Sequence, residues 1–298
     1  MAMPDFVAVP PLRRCSPSTR SPSPKRRKSI LPCASPPSYG IVEDARGNAM
    51  ADLNFINLTE AQLDAHIYRI MPEPFVLSLF QSGQNVLSQV GNWKDKFENF
   101  QLKLGGVIDG EAFTYGFKDD FVGQCWTSEY LSEAMWGIYA SDPGQRFLRI
   151  RSTPRKLLTA LVAAHPDMPQ DRCFVGKVDY QTEKQLQAYL QNGHPLEISA
   201  RKFAQSLLLK RRAFIHESEV RLIYFGDAKD CDDGLYRYQV EPHGMVTQIM
   251  ADPNRDRAGW KADRAMIAAA TGFQGEIKRS KIYDPPEWDA PKYVSDVA

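Results

Sequence analysis

The run His216-Glu217-Ser218-Glu219-Val220-Arg221-Leu222-Ile223-Tyr224-Phe225 sets two carboxylates and a guanidinium at alternate positions. Val220, Leu222 and Tyr224 alternate with polar residues at period two, which predicts a β-strand. On such a strand Glu217, Glu219 and Arg221 share the face opposite the apolar residues. Neighbouring carboxylates raise each other's pKa, and an arginine can hold one of them charged. That combination suits general acid/base chemistry or stabilisation of a developing cation. The same three residues also fit a solvated strand face with an internal ion pair.

A second polar group is the turn Asn92 to Glu98, where Asp95 and Glu98 lie beside Trp93 and Phe97. A third is Trp126-Thr127-Ser128, which closes the apolar run Phe121 to Trp126. Either hydroxyl could cap a helix from Glu129 to Ala140, with Leu131, Met135 and Ile138 as its buried stripe. Cysteines are sparse and widely spaced (Cys15, Cys33, Cys125, Cys173 and Cys231), and the five histidines show no ligand spacing. No zinc site and no disulfide framework is expected, which fits a reduced, cytoplasmic protein. No metal is predicted.

These groups must be positioned by one body of about 235 residues. Of the 21 prolines in 298 residues, nine precede Met50, interleaved with serine and with the basic run Lys25-Arg26-Arg27-Lys28. Residues 1–50 therefore read as a disordered basic tail, or as a spurious extension upstream of a start at Met50. Residues 51–285 read as one α+β domain, and residues 286–298 as a loosely ordered tail. No apolar run is long enough for a membrane span or a signal sequence, so no membrane partner is expected. The balanced charge of the body gives no broad signal for a nucleic-acid backbone, and Lys210-Arg211-Arg212 reads as a basic helix end.

The expected elements begin with a helix near Leu58–Leu63, a strand at His66–Ile70 stopped by Pro72 and Pro74, and a helix Phe75–Ser82 ended by Gly83. Strands at 121–126 and 146–151 follow, the latter after the turn Asp142-Pro143-Gly144. Thr153-Pro154 opens a helix running to Ala164. A strand at 173–178 precedes helices at 182–191 and 198–210. Strands at 236–240 and 246–250, a helix at 258–270 and a strand at 276–283 complete the chain. Strands and helices interleaved without regular alternation predict α+β, with a mixed or antiparallel sheet flanked by helices.

Four motif groups in order resemble the prokaryotic family catalogued as domain of unknown function 2971. They are Tyr68-Arg69 followed by Trp93, Asp95, Phe97 and Glu98; Cys125-Trp126-Thr127 followed by Met135-Trp136, Tyr139 and Gly144; Phe214, Glu217, Glu219, Arg221 and Leu222; and Ile249 to Pro253 with Arg279 to Tyr283. Lys96 stands where that family usually has proline. The order arginine, hydroxyl pair, Glu-x-Glu also resembles ADP-ribosyltransferases. That resemblance implies that Arg69 contacts NAD phosphates or ribose, that Thr127 or Ser128 orders the nicotinamide pocket, and that Tyr68 and Trp126 offer stacking surfaces. It further implies Glu219 as the carboxylate on the ribose and Glu217 as the base that activates an acceptor. The acceptor is left open among protein, nucleic acid and small molecule, as is the oligomeric state. Two other functions use the same residues. One is a non-catalytic module that senses a ligand or binds a partner. The other is a metal-dependent nuclease or hydrolase drawing on Asp95, Glu98, Glu217 and Glu219, with Lys210 near the phosphate.

Overall fold

The computed structural model describes residues 54–292, apart from 94, 96, 143, 193–198 and 287. The expected N-terminal tail (1–50), Lys96, the turn proline Pro143 and the expected helix start at Ile198 lie outside the described residues. Fourteen strands are present among the described residues: β1 Phe55–Ile56, β2 Ile67–Pro72, β3 Gln84–Gln89, β4 Gly106–Ile108, β5 Glu111–Phe113, β6 Phe121–Thr127 and β7 Phe147–Ser152, then β8 Cys173–Lys177, β9 Asp179–Gln181, β10 Leu209–Arg211, β11 Glu219–Phe225, β12 Leu235–Gln239, β13 Gln248–Ala251 and β14 Glu276–Arg279. Ten of them form one mixed sheet in the order β1-β8-β11-β6-β2-β7-β13-β14, with β12 paired to β3 and β3 to β6. Pairing is antiparallel except at β1/β8 and β13/β14. The fold is α+β, a mixed sheet flanked by helices.

The sheet forks at β6. Its first half pairs with β3, through Ser88↔Gly123 and Gln89↔Val122, and its last residue pairs with β2, through Tyr68↔Thr127. Between these contacts, side chains take over from a strand. Gln124 donates to the Val86 carbonyl at 3.1 Å and to Asn85 at 3.0 Å, and Arg69 donates to the Cys125 carbonyl at 3.2 Å. Buried carbonyls left without a strand need donors of this kind.

Each face of the sheet carries a core. On one, Leu157, Leu158 and Leu161 of the Pro154–Ala163 helix pack with Val175, Val220, Leu222 and Trp126. On the other, Phe203 and Ala204 of the Ala200–Ser206 helix pack with Phe121, Phe174 and Ile223. β11 is therefore buried on both faces. This overturns the solvated-face reading: Arg221 is 0% exposed and Glu219 4%.

Several helix boundaries follow their signals. Pro154 sits in the first turn after Thr153, whose hydroxyl accepts from the Lys156 amide at 3.2 Å. Thr153→Ala should lower stability by about 1 kcal/mol, the usual value of such a cap, readable as a shifted urea midpoint at constant slope. Gly83 and Gly272 close their helices in the left-handed region, at φ 66° and 63°. Pro72, expected to stop β2, is its last residue, and Pro74 lies inside the first turn of the Glu73–Ser82 helix, where no amide is needed.

Other expectations are corrected. The helix after β6 spans only Glu133–Tyr139, and its cap is Ser132, which accepts from the Met135 amide at 3.3 Å. Leu131 and Ile138 are exposed; Met135 and Trp136 are the buried pair. The long helix expected up to Lys210 ends at Ser206, and Lys210 belongs to β10, in parallel register with β9. Glu217 lies not on the strand but at the end of a 3-10 turn, Arg212–Glu217, and Ser218 (φ 42°) turns the chain into β11. No helix among the described residues is long and apolar enough to cross a membrane.

Candidate active site

Three motifs far apart in sequence meet on adjacent strands. Glu219 of β11 is the register partner of Thr127 of β6, and Thr127 is the partner of Tyr68 of β2. Directly opposed residues in antiparallel strands have Cα atoms about 5 Å apart, so the row from Glu219 to Tyr68 spans about 10 Å. Their side chains leave the sheet on one face. Arg69 and Trp126, each one residue along, leave by the other: Trp126 is 2% exposed inside the core and donates to Gln124 at 2.8 Å, while Arg69 fills the fork.

The hydroxyl pair anchors the turn that carries Glu217. Thr127 donates to the Glu217 carbonyl at 2.7 Å and accepts from the Glu129 amide at 3.0 Å. Ser128 donates to the Ser218 carbonyl from both its amide (3.0 Å) and its hydroxyl (3.1 Å). These bonds bring Glu217 next to Glu219 although Glu217 is off the strand.

Five ionisable side chains then form one buried cluster. Lys210 Nζ lies 2.5 Å from Glu217, 3.0 Å from Glu98 and 3.2 Å from Glu219. Arg221 reaches Glu98 at 2.7 Å and Glu219 at 2.5 Å, and donates to the Leu207 carbonyl at 2.6 Å. Trp93 lies over the Arg221 guanidinium, 4.5 Å from its ring centre. It fits there because residue 123 is glycine: a Cβ at Gly123 would stand 2.8 Å from the Trp93 ring. Asp95, from the same turn as Glu98, is set apart and pairs with Arg211 at 2.8 Å. Lys210 and Arg211 thus serve two carboxylate sites rather than a helix end.

Three carboxylates face two cations, and Glu217 absorbs the imbalance. Burial, together with the neighbouring Glu219, pushes its carboxyl up to about 7 against the pull of Lys210. Glu219 moves the other way: burial would raise it, but Arg221 and Lys210 hold it below the ordinary carboxylate value. Burial also pushes the Cys125 thiol up to about 12, with Glu219 adding to the effect. Tyr139 and Tyr180 are raised too, by burial first and by the glutamates next, and the Tyr180 hydroxyl accepts from the Glu219 amide at 2.8 Å.

The raised Glu217 carboxyl has a consequence for stability. Below an ordinary pKa of 4.5 it is protonated folded or unfolded and contributes nothing. Between 4.5 and about 7 the unfolded chain releases the proton that the fold retains, so stability falls as pH rises through that window and levels off above it. Glu217→Gln should gain on the parent protein from pH 5 to pH 8 in urea midpoints. An unchanged difference between the two pH values would mean that Glu217 titrates normally.

Tyr180 is the member of this site that no sequence motif discloses; Trp93 and Tyr139 stand in the motifs, and Lys210 stands near the phosphate in the hydrolase reading. Lys210 and Tyr180 meet through the β10/β9 register, where they are paired. Among the described residues no group of three or more His, Cys, Asp or Glu side chains is arranged to hold a metal ion. Two cavities among the described residues, of about 470 and 810 Å³, are lined by neither Glu217 nor Glu219.

No protein-family model and no curated protein matches the chain. The resemblance to domain of unknown function 2971 therefore rests on its motifs alone. Solved structures of DarT from Thermus sp. 2.9 do align with it. The complex with carba-NAD+ is 12% identical, with 73% of this chain and 96% of that chain covered, at a TM-score of 0.32. The NAD+ complex is 10% identical over the same shares at 0.32. The complex with ADP-ribosylated ssDNA is 12% identical, covering 73% and 95%, at 0.33. Scores of this size leave the reading of the site to its own geometry.

Proposed function

We propose that the protein is an NAD-using ADP-ribosyltransferase whose chemistry is carried by Glu219 and Glu217. The observation behind this reading is the row Tyr68–Thr127–Glu219, which unites on three neighbouring strands the motifs whose order resembles such enzymes. Groups acting on one substrate must converge on it. A span of about 10 Å is within the length of a dinucleotide.

In this reading the bond between the ribose C1′ and the nicotinamide nitrogen breaks, and nicotinamide leaves with the electron pair. Positive charge builds on the ribose, and the Glu219 carboxylate, kept ionised by Arg221 and Lys210, stabilises it. Glu217, with a pKa near 7, takes the proton of the acceptor nucleophile as its bond to C1′ forms. Thr127 and Ser128 hold the Glu217 turn, Tyr68 offers a ring at the far end of the row, and Arg69 supports the strand junction beneath it. The acceptor class is open.

One observation favours a different reading, a ligand-binding module without turnover: Glu217 and Glu219 are only 6% and 4% exposed. The assay that separates the two is nicotinamide release from NAD, followed by chromatography with protein, single-stranded DNA and small-molecule acceptors supplied in turn. Release that depends on Glu219 supports the transferase. No release with any acceptor supports the module.

A further inference from the structure

A charged cavity of about 810 Å³ is lined by neither Glu217 nor Glu219. Five of its lining side chains are cationic (Arg149, Arg257, Lys278, Arg279 and Lys281), and one is acidic, Asp284. Asp284 already pairs with Arg279. Tyr130, Trp136 and Trp260 supply aromatic walls, and Tyr130 is 43% exposed.

One of its lining residues, Arg149, is buried. On β7 it lies between Ile70 of β2 and Met250 of β13, and it is 4% exposed. Its guanidinium stands 4.4 Å from the ring centre of Tyr68, 5.2 Å from that of Tyr130 and 6.0 Å from that of Trp136. One nitrogen donates to the Tyr130 carbonyl, while Nε and Nη2 have no hydrogen-bond partner among the described residues. Burial lowers its pKa, with no carboxylate opposing the shift. A buried arginine held by aromatic rings and one carbonyl is costly unless an anion completes it. Elsewhere in the fold the buried arginines Arg221 and Arg255 each have two carboxylates.

We infer that this cavity is a binding site for a nucleoside phosphate, with the phosphate on Arg149 and the Lys278–Lys281 segment and the base against Tyr130 or Trp260. Size and lining both support the class. About 810 Å³ is far more than a lone phosphate fills and falls within the range of small-ligand pockets. Planar arginines and aromatic faces together recognise phosphate and base. The inference does not rest on the transfer reaction, because it concerns side chains on β7, β14 and the segment after it rather than the glutamate cluster.

Titration calorimetry of the full chain with ADP, adenosine, inorganic phosphate and a short single-stranded oligonucleotide tests it, at low and at raised salt. ADP should bind, more tightly than adenosine or phosphate, and its affinity should weaken as salt rises. Arg149→Gln should weaken ADP at least tenfold. Since that variant replaces a buried side chain, Lys278→Glu and Lys281→Glu at the rim provide a second arm with the same expected direction. The proposal is overturned if ADP leaves the folded protein unbound at millimolar concentration. It also fails if the rim variants bind ADP as the parent does, if phosphate alone matches ADP, or if only the oligonucleotide binds. The readout is binding alone, so failure of nicotinamide release leaves it standing.

Discussion

Arg221→Met should destabilise the protein by about 3–5 kcal/mol, the range observed when one partner of a buried ion network is removed. The guanidinium is 0% exposed and contacts Glu98, Glu219 and the Leu207 carbonyl at once. Methionine fills much of the volume under Trp93 but leaves three buried acceptors short of a donor, and the cluster's excess negative charge doubles. For a domain of this size the melting temperature should fall by about 10 °C. Combining Arg221→Met with Glu219→Gln should recover part of the loss, because the carboxylate left stranded is then neutral. A loss within 1 kcal/mol for the single variant would show that water reaches the cluster and screens it.

Glu219→Gln should reduce nicotinamide release by about a hundredfold or more, the effect of removing one preorganised electrostatic group worth roughly 3–4 kcal/mol in a transition state. The substitution keeps the shape of the side chain and removes its charge. Lys210 then retains Glu98 and Glu217, so circular dichroism should show the parent fold at a reduced melting temperature. Measuring release at a temperature well below both midpoints separates lost chemistry from lost structure. Unchanged release in the folded variant would remove Glu219 from the reaction and leave the glutamates a structural cluster.

The strongest local signals give the elements correctly. Period-two alternation in Val220, Leu222 and Tyr224 marks β11, Thr153-Pro154 opens its helix, and Gly83 and Gly272 end theirs. These signals act within a few residues, through sterics and capping, and need no partner. The errors arise where a partner decides. Leu131 and Ile138 fit a helical stripe by spacing but are exposed, because the helix starts later, at Ser132, and packs Trp136 on Ile70, Phe147 and Met250. Lys210 looks like a basic helix end, yet the β10/β9 pairing draws it into the interior beside Tyr180.

The sequence by itself determined an α+β chain and marked the polar residues able to do chemistry, since both follow from short-range periodicity and side-chain type. Only the tertiary structure decided that Glu98, from a turn more than a hundred residues away, joins Glu219 and Arg221 in one buried cluster. It likewise decided which face each candidate occupies: strand register fixes the row Tyr68–Thr127–Glu219 and sends Arg69 and Trp126 to the other side. Neighbouring carboxylates already implied a raised pKa for Glu217, but the burial that is its largest cause came only with the fold. Register, burial and the resulting electrostatics are sums over long-range contacts, which no local pattern of residues encodes.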